Sequence, residues 1–376
     1  MSFRGSSLSR WHSAFLNVNS QFRKVSRWII ERTEAEHDPV PAGQASPPGR
    51  PLCHDLAVLV ESVPNYSEGR RLEVVDRLVD AVAAVPGAFL LDRTSDASHN
   101  RSVLTLAGES EPLVAALQAT VETAIATIDM EVHAGEHPRI GAVDVVPFVP
   151  LGTTTMEDCI ALARSFGRHV AERFEIPVYL YARAASRPDR VRLADVRRGG
   201  YEGLRDEIAS DAGRVPDFGP RRTHPRAGAM AVGARPFLIA WNINLETRDL
   251  DLAKRIARTV RESGGGLPAV QANGFMIEEL GCAQVSMNLL DFATTPMWQV
   301  WEAVDGLARD AGVELRESEL IGLAPLGAFD GVAAHAGVPA TAPVEERFGA
   351  AARFLRLRDA RPEMALELRL AAARGG

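Results

Sequence analysis

From residue 57 onward apolar positions recur at two periods, two within short runs and three to four within longer ones. The first marks strands and the second helices. Residues 57–63 form an apolar run closed by Pro64-Asn65, and Leu72, Val75, Leu78, Val79 and Val82 then share one helical face. Strands are expected at 88–92 and 102–107 around a polar loop, 94–101, and a helix over 111–128. The pattern continues with a strand at 143–149, a helix over 156–174, a strand at 177–182 and a short helix over 201–208. After a Gly-, Pro- and Arg-rich stretch, 216–228, a second unit is expected. Its strands are 236–245, 270–276, 283–290 and 314–323, and its helices 249–262, 296–311 and 344–355. Such alternation predicts a layered α/β fold. No repeat is visible in the sequence, but the two halves share element order.

A chain of 376 residues exceeds the roughly 250–300 at which one core stops growing, so two domains are expected. Residues 1–56 are Ser- and Arg-rich and end in five prolines between positions 38 and 51, which predicts a disordered tail and linker; a transit peptide is the alternative. The expected units are 57–233 and 234–376. A net charge of -7 and a pI near 5.8 argue against nucleic acid and against a polybasic membrane patch, leaving small molecules as partners. Cys53, Cys159 and Cys282 form no CxxC pair, which fits a reducing cytoplasm. No apolar run approaches the roughly 20 residues needed to span a bilayer.

The densest chemistry lies in His133-Ala134-Gly135-Glu136-His137-Pro138-Arg139-Ile140-Gly141-Ala142-Val143-Asp144. Pro138 disfavours a helix at His137, and Gly135 and Gly141 add backbone freedom, so a loop should feed the strand at 143–149. His133 and His137 have the four-residue spacing of a helical metal pair, yet the loop counts against one and no metal is expected. The other reading is a histidine base with Glu136 or Asp144 as orienting carboxylate. In the 219–228 stretch, Arg221, Arg222, His224 and Arg226 suit either an interdomain linker or a clamp for carboxylates. Asn100-Arg101 is a second donor pair, and Asn242, Asn244 and Asn288 stand on strands, where buried amides need partners. There is no GxGxxG or GxxxxGK[ST] loop for nucleotides.

Several long stretches resemble the formiminotransferase domain of glutamate formimidoyltransferases. They are Val63-Pro64-Asn65-Tyr66-Ser67-Glu68-Gly69-Arg70, Asn100-Arg101-Ser102-Val103, the loop from Gly135 to Val145, Pro216-Asp217-Phe218-Gly219-Pro220, Gly228-Ala229, Val232-Gly233-Ala234-Arg235, and the runs from Phe237 to Leu245 and Ala283 to Phe292. The resemblance implies two α/β subdomains, each a mixed sheet covered on its outer side by helices, with a substrate groove between them. It implies formimino transfer between N-formimino-L-glutamate and tetrahydrofolate in histidine breakdown. His137 would be the general acid and base, with Asp144 holding its tautomer or stabilising the cationic amidine. Folate contacts would fall on Gly219, Pro220, Arg221, Arg222, Thr223, His224, Pro225, Arg226, Ala227 and Gly228, with Asn65, Asn100, Arg101, Arg139, Asn242 and Asn244 as further ligand residues. Tetrahydrofolate would be a cosubstrate, with no tightly bound cofactor, and the protein a monofunctional cytoplasmic homodimer. Thr94, Ser98 and Ala134 depart from the family pattern. A folate-binding homologue without transfer and a metal-dependent amidohydrolase stay open as alternatives.

Overall fold

The computed structural model describes residues 58–135 and 137–375. The expected tail over 1–56, and the carboxylate of Glu136, lie outside them. Leu59–Ser62 (β1) and Asn65–Tyr66 (β2) both pair antiparallel with Arg101–Glu109 (β4) and Val143–Pro150 (β5). Ala88–Asp96 (β3) adds to the free side of β4. Helices Leu72–Ala83 (α1) and Ser110–Thr127 (α2) link β2 to β3 and β4 to β5. The result is a split β-α-β unit with strand order β3, β4, β1/β2, β5. Met156–Phe174 (α3), opened by a Thr155/Asp158 capping box, crosses over to Val178–Ala182 (β6). Met230–Ala234 (β7) lies between β5 and β6, parallel to both, which makes this sheet mixed.

One face of the first sheet packs against α1, α2 and α3 through Val75, Leu78, Leu117, Val121, Phe148 and Phe166. On the other face Val145, Tyr179, Tyr181 and Ala231 meet Val196 of Leu193–Val196 (α4) and Leu204 of Gly200–Glu207 (α5).

The second sheet repeats the topology. Ile239–Leu245 (β8), Leu250–Val260 (α6), Val270–Ile277 (β9), Cys282–Leu289 (β10), Met297–Asp310 (α7) and Leu315–Ile321 (β11) give the order β11, β8, β10, β9. Both crossovers therefore skip one strand, and an antiparallel strand fills each gap. This is why the second sheet is antiparallel throughout rather than mixed. Along β8, Ile239, Trp241, Ile243 and Leu245 enter the helix-covered core, so the period of two puts Asn242 and Asn244 on the opposite face. Leu326–His335 (α8) and Val344–Phe354 (α9) complete that core. The last helix, Leu366–Gly375 (α10), returns to the first sheet. Leu366 and Leu370 pack with Leu91, Ala107 and Leu151, and Arg369 Nε donates to the Leu91 carbonyl at 2.8 Å.

Three local expectations change. β3 continues to Asp96, because Ser95 and Ser102 pair across the ladder at 2.8 Å, so the expected 94–101 loop shrinks to residues 97–100. β7 is not among the expected strands; it completes the first sheet and ends at Ala234, where the second unit is expected to begin. Its small residues hide a strand pattern, and a Cβ at Gly233 would stand 2.5 Å from the Tyr181 ring. Helix α8 buries Leu326, Ala328, Phe329, Val332 and Ala333, which leaves too little polar face for a helical period to show.

Candidate active site

The site is built on the turn between β3 and β4. Asn100 holds the left-handed conformation there (φ +49°), which asparagine tolerates better than most residues. Its side chain ties two other segments to the turn: Oδ1 accepts from Gly69 N and Nδ2 donates to the Ala134 carbonyl, both at 3.0 Å. His133 Nε2 reaches the Asn100 carbonyl at 3.0 Å, while its Nδ1 accepts from Arg139 Nε at 3.1 Å. Arg139 also grips Glu202 with both terminal nitrogens, at 2.9 and 2.7 Å. His133 thus has both ring nitrogens engaged and acts as a strut of the loop, which leaves it no nitrogen for a cation. Among the described residues no group of three or more His, Cys, Asp or Glu is placed to hold a metal.

His137 lies half-buried on this loop, its ring edge-to-face with His99 at a centroid distance of 6.1 Å. Burial, and then the positive charges of Arg101 and Arg197 with His99, push its imidazole down to about 3. It is therefore neutral at physiological pH. His99 in turn bonds through Nδ1 to Asp96 Oδ2 at 2.7 Å, and its backbone N–H donates to Oδ1 at 2.8 Å. Those bonds, the backbone one first, hold the Asp96 carboxyl below its ordinary value.

Asp144 does not orient the His137 ring. Its Oδ1 accepts from Ile140 N at 2.8 Å and its Oδ2 pairs with Arg197, so it fixes the loop's exit and the arginine. Burial raises its carboxyl, against the pull of Arg197. Arg101 and Arg197 each keep a buried Nε without a hydrogen-bond partner. Next to His137 opens a pocket of about 590 Å³ lined by Arg139, Arg197, Arg198, Gly200 and Glu202 among others. A neutral imidazole beside two guanidiniums can accept a proton from a ligand whose negative groups the arginines attract.

The Thr223–Gly228 stretch is a tight hairpin rather than a linker. His224 N donates to the Gly228 carbonyl at 2.8 Å and Gly228 N returns to the His224 carbonyl at 3.0 Å, while His224 Nδ1 accepts from Arg226 N and Ala227 N. Gly228 (φ +70°) lies against Ile140 and Gly141, where a Cβ would meet the Ile140 carbonyl at 2.4 Å, and this brings the hairpin to the exit of the His137 loop. Gly219, also left-handed, packs under Ile176, followed by Pro220. Arg221 caps the Ala209 carbonyl and Arg222 pairs with Glu175 at the surface, while Arg226 faces Asp129 at 3.6 Å.

Asn65 closes its own turn on the Val63 carbonyl at 3.1 Å. Asn242 and Asn244 belong to a different network on the second sheet, with Gln284 donating to Asn244 and Arg358 bridging Glu317 and Glu319. The structure thus gathers Asn100, Arg101, Arg139, Asp144 and His137. It adds Asp96, His99 and Arg197, which sequence reasoning missed. Asp96 and His99 carried a faint signal, three residues apart in a polar segment; Arg197 carried none.

Two split β-α-β units frame a neutral imidazole beside a pocket lined by Arg139, Arg197 and Arg198. A family model for the formiminotransferase domain's N-terminal subdomain matches residues 59–235, and one for the formiminotransferase domain matches 240–336. The chain belongs to the formiminotransferase family. It is 43% identical over 280 residues to a glutamate formimidoyltransferase of Streptococcus pyogenes, covering 74% of this chain and 93% of that one. A glutamate formimidoyltransferase of Thermoplasma acidophilum is 46% identical over 279 residues, covering 74% and 91%. The formimidoyltransferase-cyclodeaminase of Rattus norvegicus is 43% identical over 280 residues, 73% of this chain but 51% of that protein. Among the described residues no helix is long and apolar enough to cross a membrane.

Proposed function

We propose that this chain is a glutamate formimidoyltransferase of histidine breakdown in the cytoplasm. It moves the formimino group between N-formimino-L-glutamate and tetrahydrofolate, which is consumed as a cosubstrate. The observation that carries the reading is a neutral His137, under the charges of Arg101 and Arg197, in the wall of a pocket that Arg139, Arg197 and Arg198 also line. In the reaction an amine nitrogen attacks the amidine carbon, the C–N bond to the other amine breaks, and one proton leaves the first nitrogen while another reaches the second. His137 takes the proton of the attacking nitrogen.

In the empty site burial, and after it the charges of Arg101 and Arg197, make His137 a weak base. Carboxylates of the glutamate substrate, pairing with Arg101 and Arg197, offset those charges and restore the part of its basicity that the arginines take away. Tetrahydrofolate meets the substrate on the side of the Thr223–Gly228 hairpin.

The deciding experiment is transfer by the purified protein given both substrates, run beside His137→Ala. The variant should lose roughly 100- to 10,000-fold in kcat, with folate affinity nearly kept. A folded variant with near-normal kcat removes His137 from the chemistry. Folate binding without transfer by the unaltered protein identifies the non-catalytic homologue instead.

A further inference from the structure

Formimino transfer needs a proton acceptor and a proton donor. A His137 held neutral by burial and by two arginines is equipped for the first task, and has an acidic proton to give only after it has taken one from the attacking nitrogen. A second imidazole stands beside it. We propose that Asp96 and His99 form an acid–base dyad of this site, with His99 delivering the proton to the departing glutamate nitrogen while His137 receives one from the attacking nitrogen. The inference rests on the transferase reading given above.

Three observations carry it. The His99 and His137 rings stand edge to face with centroids 6.1 Å apart, so a reacting group between them lies within reach of both. His99 Nδ1 is bonded at 2.7 Å to Asp96, an acceptor when ionised, which puts the proton on Nδ1 and leaves Nε2 to exchange one. The His99 side chain is 46% exposed, so the ring can be recharged from solvent.

A purely structural account of the pair is weak. Asp96 already caps the turn through the His99 backbone N–H, and an ion pair this exposed adds little stability. The turn is nevertheless held firmly by Asn100 on one side and by the Arg70 Nε bond to the Ala97 carbonyl (2.8 Å) on the other.

The protons balance. A bond forms between the amidine carbon and the attacking nitrogen, whose proton goes to His137. The bond from that carbon to the glutamate nitrogen breaks, and the freed nitrogen takes the proton of His99. One proton then passes from His137 to His99, through solvent, and both rings are reset. The charged groups facing His137 are Arg101, Arg197 and His99, and those facing His99 are Asp96 and His137. Activity therefore rises with pH as His137 becomes neutral and falls as His99 loses its proton.

The test compares His99→Gln and Asp96→Asn with the unaltered enzyme. His99→Gln should lower kcat roughly 100-fold with KM little changed, and should abolish the alkaline fall of the pH–rate profile while keeping the acid rise. Asp96→Asn should shift that alkaline limb. A turn-capping role predicts a lower Tm with the profile unchanged, and that result overturns the dyad, as does an unchanged kcat.

A second readout is independent of turnover. Ring-nitrogen NMR of the unliganded protein should find the Nδ1–H tautomer at His99 and should record the titration of His99 in the His137 signals. Independent titrations in a protein that performs transfer refute the dyad alone, whereas absence of transfer refutes the transferase reading and, with it, the proton-delivering role of His99.

Discussion

A Cβ on Gly135 would stand 2.3 Å from the carbonyl oxygen of His99. The loop carrying His137 therefore lies backbone to backbone on the β3–β4 turn, and the contact of the two histidine rings is a consequence of that approach. Asn100 locks it from the other side, with its side chain on the Ala134 carbonyl and its own carbonyl on His133. The glycine serves by having no side chain at a point where two loops must touch.

Gly135→Ala should separate those loops. The new methyl group would meet the His99 carbonyl at 2.3 Å and the Asn100 Cβ at 3.0 Å, and neither atom can swing away as a long side chain would. Overpacking of this kind costs about 1–3 kcal/mol. We expect a Tm lower by a few degrees and a fall in kcat larger than the change in folate affinity, because the displaced part bears His137. Unchanged Tm and unchanged kcat together would show that the loops part without consequence.

Much of this was legible in the sequence because strong local signals happened to coincide with structure. The apolar run ending at Leu245 marked the β8 strand, and Pro138 with two glycines marked the His137 loop. What stayed hidden was long-range. The pairing of Asp144 with Arg197 joins positions 53 apart, and the role of Asp144 cannot be read from its four-residue distance to Ile140 alone. β7 was obscured because Gly233 and its alanine neighbours answer to Tyr181 on the adjacent strand rather than to any periodic rule. The Arg221–Arg226 cluster reads as one basic patch in sequence, but Arg221 and Arg222 are drawn to Ala209 and Glu175.

Arg197 joins two functions that one substitution can separate. Its side chain is 13% exposed and that of Asp144 3%, so Arg197→Ala strands a buried carboxylate. Losing one partner of a buried pair costs about 3–5 kcal/mol, less whatever Asp144 recovers by taking up a proton. The same change removes one of the two arginine charges that depress His137, so its titration should move upward. We expect a lower Tm, a raised KM for formimino-glutamate and an upward shift of the His137 signals in a histidine-ring titration. If the ring titrates as in the unaltered protein, the field of Arg197 does not reach it.

A last prediction concerns Glu61 on β1, which is 2% exposed and keeps a buried Oε2 without a hydrogen-bond partner. Burial, with Glu367 adding and Arg235 opposing, pushes its carboxyl up to about 8. Glu367 belongs to α10 and accepts from Leu326 N at 2.7 Å, so the two carboxyls meet where the last helix is laid on the first sheet. In the folded protein Glu61 keeps its proton, whereas in the unfolded chain it releases it near the ordinary value of 4.5. The folded state thus binds more protons between these two values, and its stability from this group is complete below 4.5 and is lost as pH rises through about 8. Glu61→Gln keeps the neutral shape and cannot ionise. The Tm of the variant should match that of the unaltered protein in mild acid and exceed it increasingly toward pH 8, while other titrating groups cancel in the difference. A constant offset between the two curves would mean that Glu61 does not change charge on unfolding.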